Sequence, residues 1–342
     1  METTTEQASG RRPIRWGILA TGGIAHAFAR DLVSYGHIVQ AVGSRSQQSA
    51  DAFAAEYGIP TAHDSYEKLV ADPDVDIVYI STPHPFHAEN AELALGAGKH
   101  VLIEKPITLN AAEAQRIADL AAEKNLLLLE AMWTRFLPHV VRIREIIAAG
   151  TIGDVRAFLA DHTQLITDDP EHRLNNLALG GGALLDLGIY PISFAAMLFG
   201  SPESVTATGT LRETGADAQV SAVFRYADGA IASTYSASNT KGPNTASILG
   251  TNGRIDIDAV WYSPTTFRVY NGSGDVIEAW ENTVPERGMQ FQADEAERLI
   301  HDGAIASSIL SPAESVSIMQ TLDEVRRQIG VVYPAESQRD AG

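Results

Sequence analysis

The chain contains no cysteine. That excludes disulfides, thiolate metal sites and cysteine nucleophiles together. Positive charge is scarce as well: 25 Lys and Arg stand against 43 Asp and Glu, a formal net charge of −18. Such a surface disfavours non-specific contact with nucleic acid or anionic membrane. No uninterrupted apolar run approaches the ~18 residues of a membrane span, so no transmembrane helix is expected. The stretch Met1–Pro13 is polar and lacks an apolar core, so no secretory signal is expected and the expected location is the cytoplasm. Lysine occurs only five times, as Lys68, Lys99, Lys105, Lys124 and Lys241. A lysine in a special context therefore stands out.

What remains is the composition of a soluble globular protein, 45% apolar and 20% charged. The 342 residues suggest two domains at roughly 150 residues each. The pattern changes near residue 131. Before it, near-continuous apolar runs such as Ile14–Ala20, Ile38–Gly43, Asp76–Ser81, His100–Glu104 and Leu126–Glu130 alternate with helical spacing. One helix is expected from Asn110, with Glu113 as capping-box partner, to about Lys124. Buried strands separated by helices predict a doubly wound parallel sheet over residues 13–131. After it, alternating strands follow, including Arg254–Asp258, and turn pairs such as Asp228-Gly229, Asn252-Gly253 and Asn271-Gly272 separate them. An α+β domain with a large open antiparallel sheet is predicted over residues 132–333. Its helices are expected near Arg135–Ala148, Gly182–Phe199, Gln290–His301 and Pro312–Gln328. Residues 1–12 and 334–342 read as frayed tails.

Strand Ile14–Ala20 runs into Thr21, Gly22, Gly23, Ile24 and Ala25 and then a helix, the context a dinucleotide fingerprint needs. In G-x-G-x-x-G/A, Gly22 supplies the central glycine and Ala25 the last small residue, while Ala20 replaces the first glycine. Helix amides at Gly22–Ile24 could hold a pyrophosphate, the alternative being an ordinary tight turn. The second strand ends at Ser44 and Arg45, where a site for NAD usually has Asp or Glu. Arg45 lies 23 residues after Gly22, near the ~20 expected for the ribose-reading position. Arg45 with Ser44 thus points to NADP(H) over NAD(H), with NAD(H) still possible; the alternative is a solvated helix-entry arginine.

Two further strands end in Thr82-Pro83-His84-Pro85-Phe86-His87 and in Glu104-Lys105-Pro106, at carboxyl ends where open α/β sheets bind ligands. With Gly182–Pro191, which contains Asp186 and Tyr190, and with Ala131-Met-Trp-Thr-Arg135, these segments resemble the Gfo/Idh/MocA oxidoreductase family. The likeness runs from about Ile14 to Ile329. It is nearest to the branch of dimeric dihydrodiol dehydrogenases and NADP-dependent D-xylose or glucose–fructose enzymes.

The resemblance implies hydride exchange between a nicotinamide and a carbinol or carbonyl carbon of a sugar, polyol or cyclic diol. It implies that Lys105 binds the reacting oxygen, its pKa lowered by burial, and that the bond before Pro106 is cis. It implies Tyr190 as acid/base and Asp186 as its partner, four residues apart on one helix face. Lys105 would then be the cation that lowers the Tyr190 pKa. The glycines 180–182 would bring that helix close to the cofactor. Thr82, Pro83, His84, His87, Glu104, Trp133 and Arg135 fall on cofactor-facing segments. His162 and Arg173 fall on a loop before the glycines, where substrate hydroxyls would be met. Arg173 reads equally as an ion pair with Glu171 or Asp169, and Trp133 equally as core. A homodimer or homotetramer through the C-terminal sheet is implied.

His84 and His87 at i, i+3 form only a weak metal pattern, so no metal is expected. No G-x-S-x-G elbow supports a serine hydrolase. A non-catalytic nucleotide- and sugar-binding sensor is the remaining alternative, and the proton-transfer set Lys105, Asp186 and Tyr190 argues against it.

Overall fold

The computed structural model describes residues 12–339. Its first half runs β1 (Arg15–Leu19), α1 (Gly23–Ser34), β2 (Ile38–Gly43), α2 (Gln47–Tyr57), β3 (Thr61–His63), α3 (Tyr66–Ala71), β4 (Ile77–Ile80), α4 (His87–Gly96), β5 (His100–Glu104), α5 (Ala111–Glu123) and β6 (Leu128–Ala131). The six strands form one sheet in the order β3-β2-β1-β4-β5-β6, every pair parallel. The order reverses between β1 and β4, and ligands bind open sheets at such a switch point. All four residues of β4 and of β6 are buried. That is why these strands read as apolar runs without alternation. Asn110 caps α5 by accepting from the Glu113 amide at 3.0 Å.

The short pair β3 and α3 has no counterpart in the sequence reading. β3 has three half-buried residues at the sheet edge, too few to show a period. α3 is capped by Ser65, whose hydroxyl accepts from the Lys68 amide.

The second half continues with α6 (Pro138–Ala148), β7 (Val155–Thr163), α7 (Ile189–Phe199), β8 (Ser204–Leu211), β9 (Asp217–Arg225), β10 (Ile231–Ala237), β11 (Ala246–Gly250), β12 (Gly253–Ile257), β13 (Phe267–Asn271), β14 (Val276–Trp280), α8 (Gln290–His301), α9 (Pro312–Ile329) and α10 (Pro334–Arg339). Its eight strands are ordered β14-β13-β12-β11-β7-β10-β9-β8. All neighbours are antiparallel except β7 and β10. β7 and β8 were not expected as strands. β7 mixes Asp161 and His162 into an apolar run, and β8 is a threonine-rich edge strand exposed along most of its length. The inner face of the sheet packs Phe158, Phe224 and Ile248 into the core, with Phe158 stacked on Phe194 of α7.

One expectation needs correction. The end of the chain is not wholly frayed: Pro334–Arg339 is helical, and Glu336 accepts two hydrogen bonds from Arg326 at 2.9 Å. Residues 1–11 and 340–342 of the expected tails lie outside the described residues. Leu177–Phe199 is long and apolar enough, by composition, to cross a membrane. Within the fold 78% of its most apolar window is buried. It is a core segment, interrupted by Gly180–Gly182 and carrying Asp186.

Partly buried charge joins the two halves. Glu297 of α8 accepts from Trp16 Nε1 of β1 at 2.8 Å and from His37 Nδ1 at 2.7 Å. Burial alone would lower the His37 pKa, but Asp294 and Glu297 overcome it and raise it to about 9. The folded value lies above the ordinary 6.5, so this stabilisation is complete below that pH and is lost as pH rises through about 9. The unfolding free energy from denaturant titrations should therefore fall between neutral pH and pH 9–10, by on the order of 2–3 kcal/mol. His37→Gln should flatten that part of the profile; an unchanged slope would remove His37 from the linkage.

Candidate active site

A cleft of about 760 Å³ opens at the carboxyl ends of β1, β2 and β4. Its walls include Ala20, Thr21, Gly22, Ser44, Arg45, Thr82 and Pro83. Ala20 holds a left-handed φ of +82°. The conformation that the fingerprint's first glycine supplies is thus kept by an alanine, at a cost of roughly 1–2 kcal/mol. A Cβ at Gly22 or Gly23 would meet nothing within 4 Å, so the loop faces open space. Gly22 caps α1 without a side chain, and the amides of the first turn have no intrahelical acceptor. The side chain of Ile24 instead packs towards the core, leaving its amide as its contribution.

Ser44 and Arg45 end β2 at the rim of the cleft. Arg45 interacts with the hydroxyl of half-buried Tyr66, on the unpredicted α3. Tyr66, Glu67, Phe86, Glu89, Asn90, Leu93 and Leu179 complete the lining. No motif signalled Tyr66 and Glu67, because helix α3 that brings them here is only six residues long.

The candidate catalytic side chains gather around Lys105. The Lys105–Pro106 bond is cis. Lys105 Nζ donates to the Asp186 carbonyl at 2.8 Å and to Asp186 Oδ1 at 3.1 Å. It lies 5.0 Å from the centre of the Tyr190 ring. An ammonium has three N–H bonds, and among the described residues no third acceptor reaches it. Burial alone would lower the Lys105 pKa, but Asp186 first, then Tyr190 and Glu104, raise it above its ordinary value. The expectation of a depressed lysine is therefore wrong: the amine is a paired cation.

Asp186 lies in a π-helical segment, Leu184–Gly188, that runs straight into α7. π-Helical turns are rare and frequent at functional sites. Arg173 donates to both Asp186 oxygens, at 3.1 and 3.2 Å. Its partner is thus neither Glu171 nor Asp169. Although burial opposes it, Lys105 and Arg173 hold the Asp186 carboxyl far below the usual range.

The Tyr190 hydroxyl accepts from Trp133 Nε1 at 2.9 Å, so its own proton is free to be given. Burial raises its pKa, and Lys105 only partly opposes the shift. Tyr190 is therefore a neutral phenol and not a preformed base. His162 is on β7, not on a loop. Its ring stacks on Tyr262 with centroids 3.7 Å apart and meets Tyr190 edge-on at 4.9 Å. Only 1% exposed, it supports Tyr190 and is not open to substrate. Burial pushes its pKa down to about 3, so the ring is neutral.

Several residues expected to face a cofactor are committed elsewhere. Arg135 is buried, donates to Ser193 and to the Ile309 carbonyl, and pairs with Glu314 at 2.7 Å. It ties the start of α6 to α7 and α9. Glu104 is buried, accepting from the Tyr79 hydroxyl and from the Lys105 amide. His84 is buried against the Gly180 carbonyl, and burial pushes its pKa down to about 3. Both ring nitrogens of His87 meet carbonyls at 2.8 Å, those of Pro106 and Thr82. Burial lowers its pKa, and those carbonyls oppose the shift.

The glycine run is likewise explained by protein, not cofactor. A Cβ at Gly180 would lie 2.9 Å from His84 Cβ. One at Gly182, with φ +140°, would lie 2.1 Å from Asp217 Oδ1. Asp217 accepts from the Leu184 amide at 2.6 Å and so fixes the start of the π-helical segment. Asp217, Tyr79 and Tyr262 escaped the sequence reading because each lies far along the chain from the residue it supports.

The comparisons with known proteins agree with this geometry. A family profile described as "Oxidoreductase family, NAD-binding Rossmann fold" matches residues 14–132. A second, "GFO/IDH/MocA C-terminal domain", matches residues 140–256. The chain is 37% identical over 335 residues to trans-1,2-dihydrobenzene-1,2-diol dehydrogenase of Mus musculus, covering 95% of this chain and 99% of that protein. It is 37% identical over 370 residues to D-xylose 1-dehydrogenase (NADP(+)) of Hypocrea jecorina, covering 94% and 93%. Among solved structures, aldose-aldose oxidoreductase from Caulobacter crescentus, complexed with glycerol, superposes with a TM-score of 0.84 at 26% identity. That match covers 93% of this chain and 97% of the other. With matches of this length at both the sequence and the structural level, the chain belongs to the Gfo/Idh/MocA family of oxidoreductases.

Proposed function

We propose that the protein is an NADP(H)-preferring dehydrogenase or reductase acting on a CH–OH carbon of a sugar, polyol or cyclic diol. One observation carries this reading: the paired ammonium of Lys105, with one N–H uncommitted, lies beside the Tyr190 phenol, whose proton is free. The chemistry of the cleft fits the cofactor. Gly22 and Gly23 leave room for a pyrophosphate over the α1 amides, and Ser44 with Arg45 would take a 2′-phosphate. When bound, the nicotinamide supplies or accepts the hydride.

The protein's own residues handle the oxygen and its proton. Lys105 would donate its third N–H to the reacting oxygen and stabilise negative charge there. Tyr190 would give its proton to that oxygen during reduction. During oxidation the phenolate is the form that would take the proton, and the raised pKa keeps it scarce at neutral pH, so the oxidative rate should rise with pH. Asp186 keeps Lys105 charged and in place, and Arg173 shares the carboxylate. The names of the dihydrodiol and D-xylose dehydrogenases support the substrate class.

The test is a spectrophotometric screen of aldoses, inositols, anhydrosugars and dihydrodiols with NADP+ and NAD+. Turnover with NADP+ supports the reading. Tight NADPH binding with no turnover across the panel would favour a sensor. Arg45→Ala should weaken NADPH about tenfold or more while leaving NADH within about threefold, as fluorescence titration would show. An unchanged preference would remove Arg45 from the phosphate site.

The protein should also self-associate through the outer face of its large sheet. Leu159, Ser233 and Val223 are paired across β7, β10 and β9, and Leu159, Val223 and Ile231 are 43–45% exposed. These exposed aliphatic side chains flanking Ser233 support that reading. Leu159→Arg should shift the sedimentation of the native species towards the monomer; a monomeric wild type would contradict the proposal.

A further inference from the structure

The Lys105 segment is held by two buried side chains that the reaction does not use. His87, on the first turn of α4, brings Nδ1 to 2.8 Å from the Pro106 carbonyl oxygen. Glu130, at the end of β6, accepts from the Ile107 amide at 3.0 Å through Oε1. That carbonyl and that amide belong to one peptide group, the link between Pro106 and Ile107. A carbonyl oxygen only accepts, so His87 must be the donor there. The peptide is thus bonded at both ends, one residue beyond the lysine.

Both anchors are themselves fixed. His87 has no exposed surface and Glu130 is 2% exposed. With its single proton on Nδ1, the neutral ring gives nothing to the Thr82 carbonyl that lies 2.8 Å from Nε2. The second oxygen of Glu130 accepts from Ser315 Oγ of α9 at 2.6 Å. Through Glu130 and Ser315 the lysine turn is therefore tied to the second half of the chain. Neither side chain lines the cleft, so neither can touch a ligand there. Burying two ionisable side chains is costly unless they are well bonded, and what both bond is this one peptide.

We propose that His87 and Glu130 are positioning residues for Lys105, acting together through the carbonyl and the amide of the Pro106–Ile107 peptide group. Their catalytic consequence rests on the role assigned to Lys105 above. Their structural consequence does not.

The scarcity of lysine supplies the test. With only five lysines, the ammonium resonances of 15N-labelled protein are few, and Lys105→Arg assigns the one of interest. In Glu130→Leu and in His87→Phe that resonance should move towards those of the exposed lysines. With a substrate in hand, kcat should fall about thirtyfold or more, as misplacement of a catalytic group by about 1 Å can cost ~100-fold. KM should stay within about threefold. Glu130→Gln keeps volume and an acceptor for the Ile107 amide, so it should keep both the resonance and kcat within about threefold. The double variant should be no worse than the poorer single one, because both act on one peptide. His87→Phe carries the test should Glu130→Leu fail to fold. An unmoved Lys105 resonance in the single variants overturns the proposal, as does a Gln variant as damaged as the Leu variant. Losses that multiply in the double variant overturn it too. A displaced resonance with full turnover upholds the positioning and overturns the catalytic reading of Lys105.

Discussion

Lys105→Ala should abolish turnover while leaving NADPH binding nearly intact. The lysine offers one uncommitted N–H where the reacting oxygen would lie, and two N–H bonds to Asp186 hold it there. Removing a preorganised donor of this kind costs ~10²–10³-fold in kcat. Removing the positive charge beside Tyr190 also lifts the largest opposition to the burial-driven rise of the phenol's pKa. The two effects act in one direction, so a loss of about 10³-fold or more is expected. Cofactor affinity should change less than about threefold, because the proposed pyrophosphate and 2′-phosphate sites follow β1 and β2, not β5. Stability should fall little, because Arg173 still pairs with Asp186 through both oxygens. Steady-state kinetics beside an NADPH titration checks the split. Turnover within tenfold of the wild type would remove Lys105 from the chemistry.

Asp186→Asn should damage both fold and function. The carboxylate is the shared partner of Lys105 and Arg173, with 9% of its side chain exposed. An asparagine fills the same volume without the charge. Arg173 can turn to water, since 55% of its side chain is exposed. Lys105, 11% exposed, cannot. Leaving one member of a buried pair alone costs about 3–5 kcal/mol, so a fall of about 3 kcal/mol in unfolding free energy is expected. The effect on Lys105 is more specific. Asp186 is the first-ranked force holding its pKa up against burial. Without it the pKa should drop, and the alkaline limb of the reductive pH–rate profile should move to lower pH. A profile that keeps its shape while kcat falls would show that Asp186 does not set the charge state of Lys105.

The sequence made the parallel sheet legible because its strands are buried on both faces. An apolar run needs no partner to be read, and β4 and β6 are wholly buried. The strands β9 to β14 were legible from alternation and from Asn-Gly and Asp-Gly turns. β7 was not, because the face that carries Phe158 ends in His162, where a strand is expected to carry an apolar residue. β3 and α3 were too short for any period, and with them Tyr66 was missed.

The site divides along a similar line. Residues that chemistry needs by type, namely Lys105, Asp186 and Tyr190, stand out from motif and scarcity, and the fold brings them within contact of one another. The electrostatic state of that cluster was misread. A buried lysine taken alone has a lowered pKa, and the opposite shift here comes from Asp186, 81 positions away. Arg135 and His87 were misplaced for a related reason. A polar residue at the carboxyl end of a strand reads as ligand-facing, but both are turned inwards to bond backbone carbonyls of other segments. Local sequence does not say which way such a side chain turns.

The central claim is that hydride passes directly between the nicotinamide and a carbinol carbon while Lys105 and Tyr190 attend the oxygen. The most direct measurement is isotopic. NADPH carrying deuterium at the transferring position of the nicotinamide is incubated with the protein and the carbonyl form of a substrate found in the screen, and the alcohol is analysed by mass spectrometry. The expected result is one deuterium on the carbinol carbon with wild-type protein, and no labelled alcohol above background with Lys105→Ala. Alcohol formed without the label, or formed equally by the Lys105→Ala protein, would contradict it.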